Sequence, residues 1–486
     1  MALLETVRAE RLAKVARLKE AGMEAYPART ARTHTVGEFL ENHEALEKNS
    51  EQVVLAGRVM SLREHGGSLF VDIFDGTKGQ CYVQRDKIGE SAYDLFTGAV
   101  DTGDVVEFAG LAFKTKRGVP SLDVTEWRML AKSLRPLPDE WFGIKDEDER
   151  FRKRYLDILL TKDLSDRIRR RSIFWNSFRQ FFLERDFVEV ETPVLETTTG
   201  GADARPFVTH HNALDIDVYL RISAGELWQK RLMIAGLPKT FEIGRVFRNE
   251  GMSAEHAQDY TQLEFYWAYA DYLRGMELVE ELYKHVALTT FGTLRFTIGK
   301  FEIDLGAPWE RYDYTETIKK YTDIDIQTAD LQAVEKKLQE LAVNFSTEGW
   351  NKSRAIDTLW KYCRRQIGGP GFLVGVPKML SPLSKVSSTR PEITERFQPI
   401  IAGSELGNGY SELNDPVDQA ERFAEQAKLR EAGDEEAQMY DHEFVEALEY
   451  GMPPVVGFGV SERLFSFLEG VSIREGQIFP LMRPRI

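Results

Sequence analysis

Cysteine is nearly absent: only Cys81 and Cys363 occur in 486 residues. Two thiols exclude a disulfide scaffold and a four-ligand zinc site, and they suit the reducing cytosol. No run of 18 apolar residues exists to cross a bilayer. The start, Met1-Ala2-Leu3-Leu4-Glu5, lacks the basic opening and long apolar core of a secretion signal, and Glu5, Glu10 and Glu20 argue against a transit peptide. A cytoplasmic protein with no membrane partner is expected. A GxGxxG after a strand, a P-loop and internal repeats are also missing, so nucleotide chemistry would need another scaffold. Basic charge is in deficit, with a net of −15, which on average argues against a nucleic-acid partner. The deficit is uneven, however. Residues 416–450 hold three Lys/Arg against eleven Asp/Glu, which leaves room for a basic face elsewhere.

What is present is an ordinary globular composition, 42% hydrophobic and 29% charged, long enough for two or three cores. Leu4, Val7, Leu12, Val15 and Leu18 share one arc and predict a helix over 3–21, whose Arg and Lys residues either meet phosphate or pack on the next domain. Five short strand-like runs follow, at 53–60, 68–74, 80–84, 105–113 and 120–129, with turns at Gly66-Gly67, Asp75-Gly76 and Arg117-Gly118. A helix-like stretch, 89–97, separates the third run from the fourth. That order suggests an OB-fold barrel, a common single-strand nucleic-acid binder. Alternation over 69–74 puts Phe70, Asp72 and Phe74 on one face, expected to be the wet one, near Gln80 and Tyr82.

The hinge Leu134-Arg135-Pro136-Leu137-Pro138 ends this unit. Beyond it, Arg167, Arg169, Arg170 and Arg171 open a long amphipathic helix, and 186–486 mixes helices with antiparallel-looking strand pairs.

Three clusters carry chemistry. In Phe241 to Gly251, strand spacing puts Arg248 and Glu250 on one face, suited to a phosphate oxygen and a nucleobase amine, with His256 in the next loop and Tyr260 able to stack. Gly457-Phe458-Gly459 lets a strand approach a flat ligand, ahead of a helix bearing Arg463. In Gly403 to Asp415, Glu405 and Glu412 offer hard oxygens for magnesium on a polyphosphate. His210-His211 is not a chelating pair, because strand neighbours point to opposite faces.

These clusters resemble motifs 2 and 3 of class II aminoacyl-tRNA synthetases, and Asp186 to Pro193 resembles motif 1. Longer strings narrow the resemblance to the lysyl-tRNA synthetase family: Gly200 to Phe207, Thr209 to Leu214, Leu406 to Asp415, Ala447 to Pro454 and Ser133 to Pro138. The likeness covers nearly the whole chain, in order.

The resemblance implies a multidomain α+β chain: a helical extension at 1–50, an OB-fold anticodon-binding domain at 51–140, a linker at 141–165, and a catalytic domain at 166–486. The catalytic domain would be built on an antiparallel sheet flanked by helices; 326–370 matches the family poorly and is expected to be a helical insertion of no catalytic role. The resemblance also implies a homodimer that joins L-lysine to tRNA(Lys) with ATP and Mg2+. Arg248 and Arg463 would be catalytic. Glu250, His256 and Tyr260 would bind ATP with them, and Glu405 and Glu412 would hold the metal. Gly201, Glu226, Glu264, Tyr266, Asn408, Tyr410 and Glu412 would bind lysine. Arg63, Phe70, Gln80 and Glu126 would read the anticodon. The chemistry agrees, since only carboxylates and acceptors offset the desolvation of an ammonium, whereas an aspartate-specific relative would need Arg or Lys there. Departures from the family pattern are Ala224-Gly225 in place of a proline before Glu226, with one extra residue and the capacity to shift Glu226; Glu462 for the Asp before Arg463; and a turn between Phe70 and Gln80 shorter by one residue.

Overall fold

The computed structural model describes residues 2–138, 144–202, 204–251, 253, 256–345, 350–431, 433 and 437–485. The expected 140/141 junction, Asp203 of the Gly200 string and 346–349 of the expected insertion lie outside them. The chain forms two compact units, residues 1–160 and 161–486.

In the first unit, helices α1 (Ala2–Glu20), α2 (Val36–Glu41) and α3 (His43–Asn49) precede a five-stranded barrel. Its strands are β1 (Gln52–His65), β2 (Ser68–Phe74), β3 (Lys78–Gln84), β4 (Val105–Lys114) and β5 (Pro120–Ala131), with α4 (Arg85–Ile88) and α5 (Glu90–Ala99) between β3 and β4. They close in the order β1-β2-β3-β5-β4. The five expected runs are all strands, and β1 continues to His65 past a bulge between Val59 and Ser61. Inward residues such as Leu55, Val71, Val83, Phe108 and Val124 fill the barrel, and Leu18, Val36 and Phe39 from the preceding helices join the same core. Helices α6 (Glu147–Arg152) and α7 (Arg154–Leu160) end the unit.

Helix α1 takes the second of its two readings. Arg11, not Leu12, occupies the buried stripe. Its Nη1 donates to the carbonyls of Ser133 and Arg135, and Nη2 to that of Thr102. Lys14 pairs with Asp101 at 2.6 Å. A guanidinium capping three carbonyls is an apolar-stripe position that periodicity assigns to its neighbour.

The second unit begins with α8 (Lys162–Leu183), β6 (Val188–Glu189), β7 (Leu195–Glu196), β8 (Val208–His211), β9 (Ile216–Leu220) and α9 (Glu226–Ile234). Strands β10 (Lys239–Phe247) and β11 (Asp259–Ala268) follow, then α10 (Tyr272–Phe291), β12 (Arg295–Ile298), β13 (Phe301–Asp304) and β14 (Glu310–Asp313). Next come α11 (Tyr314–Thr322), α12 (Leu331–Glu340), α13 (Lys352–Arg364), β15 (Gly371–Val374), β16 (Arg396–Ile401), β17 (Ser404–Glu405) and β18 (Asn408–Ser411). The unit closes with α14 (Pro416–Glu431), α15 (His442–Glu449), β19 (Val455–Ser461), α16 (Arg463–Leu468) and α17 (Ile473–Gly476).

Among the described residues the main sheet runs β14-β15-β16-β18-β19-β11-β10-β6, with β17 on β16. It is antiparallel except at its ends, β10/β6 and β14/β15. One face packs Phe241, Leu263, Phe265 and Phe458 against aromatics of α8 and against α10. Strand alternation therefore turns Gln262, Glu264 and Tyr266 to the other face, where the site lies. The arginines opening α8 are neutralised within this unit: Arg170 grips Glu469, Arg171 pairs with Glu462, and Arg167 reaches Glu469 and Glu475. Helices α11 to α13 pack Ile318, Val334, Leu359 and Trp360 together with Leu373 of β15 and Ile400 of β16.

Candidate active site

A cavity of about 280 Å³ opens on the polar face of the sheet. Its wall includes eight residues singled out from the sequence: Gly201, Glu226, Arg248, Glu264, Tyr266, Asn408, Tyr410 and Glu412. Three carboxylates and a guanidinium from β11, α9, the β18 end and the loop after β10 thus share one space. In the departing Ala224-Gly225 stretch, Gly225 adopts φ +77° at the N-terminus of α9. A Cβ there would meet Thr192 Oγ1 at 2.1 Å, so only glycine fits both the dihedral and the space. Glu226 stays in the cavity wall.

Glu264 is almost fully enclosed and accepts three hydrogen bonds. They come from Ala224 N at 2.7 Å, Gln262 Nε2 at 2.7 Å and Tyr266 Oη at 2.9 Å. Burial, followed by the charge of Glu226, still pushes its carboxyl up to about 7. Glu412 also stands well above the usual carboxylate range, first through burial, with Glu226 adding to it against the pull of Lys230.

Lys230 is the residue sequence reading missed. It lies one helical turn from Glu226, donates to Glu226 Oε1 at 2.7 Å and approaches Glu412 Oε2 at 2.5 Å. The second contact pairs Lys230 with one Glu412 oxygen and leaves the other, Oε1, without a partner. Burial would lower the Lys230 ammonium, but Glu226 and Glu412 outweigh it and raise it. A buried lysine would suit an aspartate-type pocket, yet this one stands behind two carboxylates and does not line the cavity. Three glutamates thus stand with three cations, Lys230 behind the wall and Arg248 and Arg396 in it, so the site holds charge of both signs. Tyr410 Oη completes the set by donating to Glu226 Oε1 at 2.6 Å. The i,i+4 spacing of Glu226 and Lys230 was the available signal.

Gln262 and Arg396 were also missed. Both line the cavity, and Arg396 Nε donates to Asn408 Oδ1 at 2.8 Å. Gly457 and Gly459 line the cavity, and Gly457 also makes room for side chains. A Cβ there would meet Glu412 Oε1 at 2.2 Å and the Tyr266 ring at 2.6 Å, so its hydrogen lets those two side chains settle against β19.

The nucleotide residues are less gathered. Strand β10 ends at Phe247, so Arg248 and Glu250 lie in the loop beyond it, and the shared strand face expected from period-2 spacing does not exist. Arg248 is instead held by its own N–H on Gln258 O and by Nε on Ile222 O at 3.2 Å, with its guanidinium 5.6 Å from the Tyr260 ring centre. Tyr260 is buried among Ala224, Val246 and Ile473. Half-buried Glu250 and exposed His256, whose Nδ1 meets Ser253 Oγ at 2.7 Å, are outside the cavity wall. Arg463 opens α16 and donates to Ser404 Oγ at 3.3 Å. Glu405 accepts from Trp360 Nε1 at 2.5 Å and lies outside the wall that Glu412 lines. His210 faces Asp217 and Asp215.

In the barrel, Arg63 forms a bidentate pair with Asp72 at 2.6 and 2.8 Å. Asp72 is therefore buried rather than wet, because Arg63, Ser61 and Lys78 cover it. Phe70 stacks on Tyr82 with centroids 4.6 Å apart, Gln80 Oε1 accepts from Ser121, and Glu126 is exposed.

A barrel of this order, joined to a mostly antiparallel sheet with a glutamate-lined pocket and an arginine at its rim, defines a class of protein. Residues 146–483 match the family described as tRNA synthetases class II (D, K and N), and residues 53–136 match the OB-fold nucleic acid binding domain. Over the full length the chain is 43% identical to the lysine–tRNA ligase of Thermotoga sp. (strain RQ2), covering 99% of this chain and 97% of that one. It is 41% identical to that of Roseiflexus castenholzii, covering 99% of each, and 42% to that of Moorella thermoacetica, covering 98% of each. The chain belongs to the lysine–tRNA ligase family of the class II tRNA synthetases.

The raised carboxyl of Glu264 gives the pocket a pH dependence. Its ionised form, which dominates only above about 7, adds negative charge that favours an ammonium nearby without a direct bond to it. Lysine affinity is expected to rise as pH rises from 6 to 8, with proton release on binding near neutrality. Calorimetric titration in two buffers of different ionisation enthalpy checks this. Affinity that weakens toward pH 8 would contradict it.

Proposed function

We propose that this chain activates L-lysine with ATP and transfers it to the 3′ adenosine of tRNA(Lys). The observation that carries the reading is the sharing of one cavity by Glu226, Glu264, Glu412 and Arg248. A carboxylate oxygen of lysine attacks the α-phosphorus, the bond to the bridging oxygen breaks, and pyrophosphate leaves. Both reactants are anionic, so Arg248 and Arg463 offset their repulsion and the charge developing at phosphorus. Much of the remaining acceleration comes from holding the two groups in line. A ribose hydroxyl of the tRNA then attacks the carbonyl of the adenylate, forming the ester and expelling AMP. Lysine-dependent ATP–pyrophosphate exchange, compared with arginine and ornithine, tests the reading; exchange with arginine in place of lysine would overturn it.

In this reading Glu250 accepts from the adenine amine, Tyr260 and Arg463 flank the base, and His256 meets the terminal phosphate. Gly201 and Glu226 hold the α-ammonium of lysine and Asn408 its carboxylate. Among the described residues no group of three or more carboxylate, histidine or cysteine side chains is set to hold a metal. Magnesium is commonly held by one or two carboxylates with phosphates completing its shell, and Glu405 and Glu412 fit that share. When bound, it supplies neutralisation of phosphate charge.

Arg63, Phe70, Gln80 and Glu126 read the anticodon, and the Phe70–Tyr82 stack provides a platform for a base. Phe70→Ala is expected to raise the KM for tRNA by roughly 5- to 100-fold, the range of one lost base stack, without changing pyrophosphate exchange. Aminoacylation kinetics beside exchange kinetics separates the two. Two chains associate through the motif 1 region, where Leu183, Val188, Val194 and Leu195 leave apolar surface exposed. The chain works in the cytoplasm. Both cysteines are buried free thiols, and among the described residues no helix is long and apolar enough to cross a membrane.

A further inference from the structure

Three side-chain atoms in the wall of the cavity are buried without a partner: Ser384 Oγ, Glu412 Oε1 and Gln438 Oε1, while Glu412 Oε2 has Lys230 Nζ at 2.5 Å. The parent residues are 0%, 2% and 4% exposed. Buried polar atoms are almost always satisfied, so several orphans around one space point to a ligand that satisfies them. Ser384 and Glu412 are partners in an isolated antiparallel bridge. Bridge partners project to the same side, so the hydroxyl stands beside the carboxylate. Gln438 comes from the segment joining α14 to α15, and α15 packs on α9, which carries Glu226 and Lys230.

The orphans share one chemistry. A carboxylate oxygen and an amide oxygen only accept, and a hydroxyl is able to. Their complement is a cationic group with several N–H donors and no acceptor, which is a primary ammonium. The other carboxylates are less open to it. Glu264 already receives three donors, and Glu226 Oε1 already receives Lys230 and Tyr410.

We infer that Ser384 and Gln438 are specificity-determining residues that, with Glu412, take the three N–H groups of the side-chain ammonium of the substrate. This rests on lysine being the amino acid. Glu412 supplies the opposite charge. Ser384 and Gln438 count the donors, because methylating the ammonium removes an N–H and strands one of them again. Ordered water at Ser384 and Gln438, and the magnesium proposed above at Glu412, are the competing explanations.

Full-length chain, Ser384→Ala, Gln438→Met and the double variant are compared in pyrophosphate exchange with lysine, Nε-methyl-lysine and Nε,Nε-dimethyl-lysine. Each single variant is expected to raise the KM for lysine by roughly ten- to a hundred-fold, the range for a lost hydrogen bond to a charged group, with the KM for ATP unchanged. The preference for lysine over the dimethylated form is expected to shrink by the same factor, since mutation and methylation delete the same contact. Ser384→Ala removes an orphaned hydroxyl and is expected to keep or raise Tm. Unchanged lysine KM in both variants would assign the atoms to water and overturn the inference. Equal rises for lysine and ATP, or an undiminished preference over dimethyl-lysine, would reduce the two residues to structural roles and overturn it too. Absence of lysine-dependent exchange in the unaltered chain is a separate failure, that of the substrate reading itself.

Discussion

Arg248→Ala is expected to lower lysine-dependent pyrophosphate exchange by roughly 10²- to 10³-fold, the scale of losing one preorganised donor aimed at developing charge. Stability should fall by only about 1 kcal/mol, because the guanidinium holds one hydrogen bond, to Ile222 O at 3.2 Å, and a ring contact with Tyr260. Arg248 sits at the cavity wall with Glu264 and Glu412, so the loss should appear in kcat as well as in KM. Exchange within a few-fold of normal would remove the guanidinium from the chemistry, whatever the family resemblance implies. Thermal unfolding run alongside distinguishes lost catalysis from lost fold.

Lys230→Met is expected to be the most damaging single change to stability. It leaves Glu226 and Glu412 enclosed without their cation, and breaking one side of a buried ion pair typically costs about 3–5 kcal/mol. The sign with pH follows from the proton balance. Deprived of the ammonium, Glu412, already held above the usual carboxylate range by burial, ionises with still more difficulty in the folded chain but at an ordinary carboxylate value when unfolded. Between those values the folded state holds a proton that the unfolded state has lost, so stability falls as pH rises. The Tm deficit should be larger at pH 8 than at pH 6. Changing Glu226 and Glu412 to Gln in the same chain should recover part of it. A deficit of the same size at both pH values would mean that the packing of the lysine stem, not its charge, holds the site.

These expectations show which parts of the molecule are readable along the chain. The barrel strands were, because alternation and turn glycines are local signals. The pocket carboxylates were, through motif strings. The misreadings share one physical origin: partners distant in sequence. Arg11 displaced Leu12 from the buried stripe because carbonyls at 102, 133 and 135 wait for a guanidinium. Asp72 is covered because Arg63, across the β1–β2 pairing, folds onto it. Arg248 and Glu250 left the sheet because pairing between β10 and β11 ends at Phe247 and Asp259. Arg396 and Gln438 carry no spacing signal at all, being brought to the cavity wall from separate strands and loops.

The contact between Trp360 and Glu405 ties the peripheral helices to the metal-binding candidate. Trp360 belongs to α13, inside the segment expected from the sequence to be a helical insertion, and its indole N–H supplies a donor that Glu405 keeps. Engineers who trim this lineage toward a minimal enzyme would therefore find no clean cut at 326–370. Pruning those helices also strips the bracket from Glu405, and a compact version would need a replacement donor grafted onto the sheet.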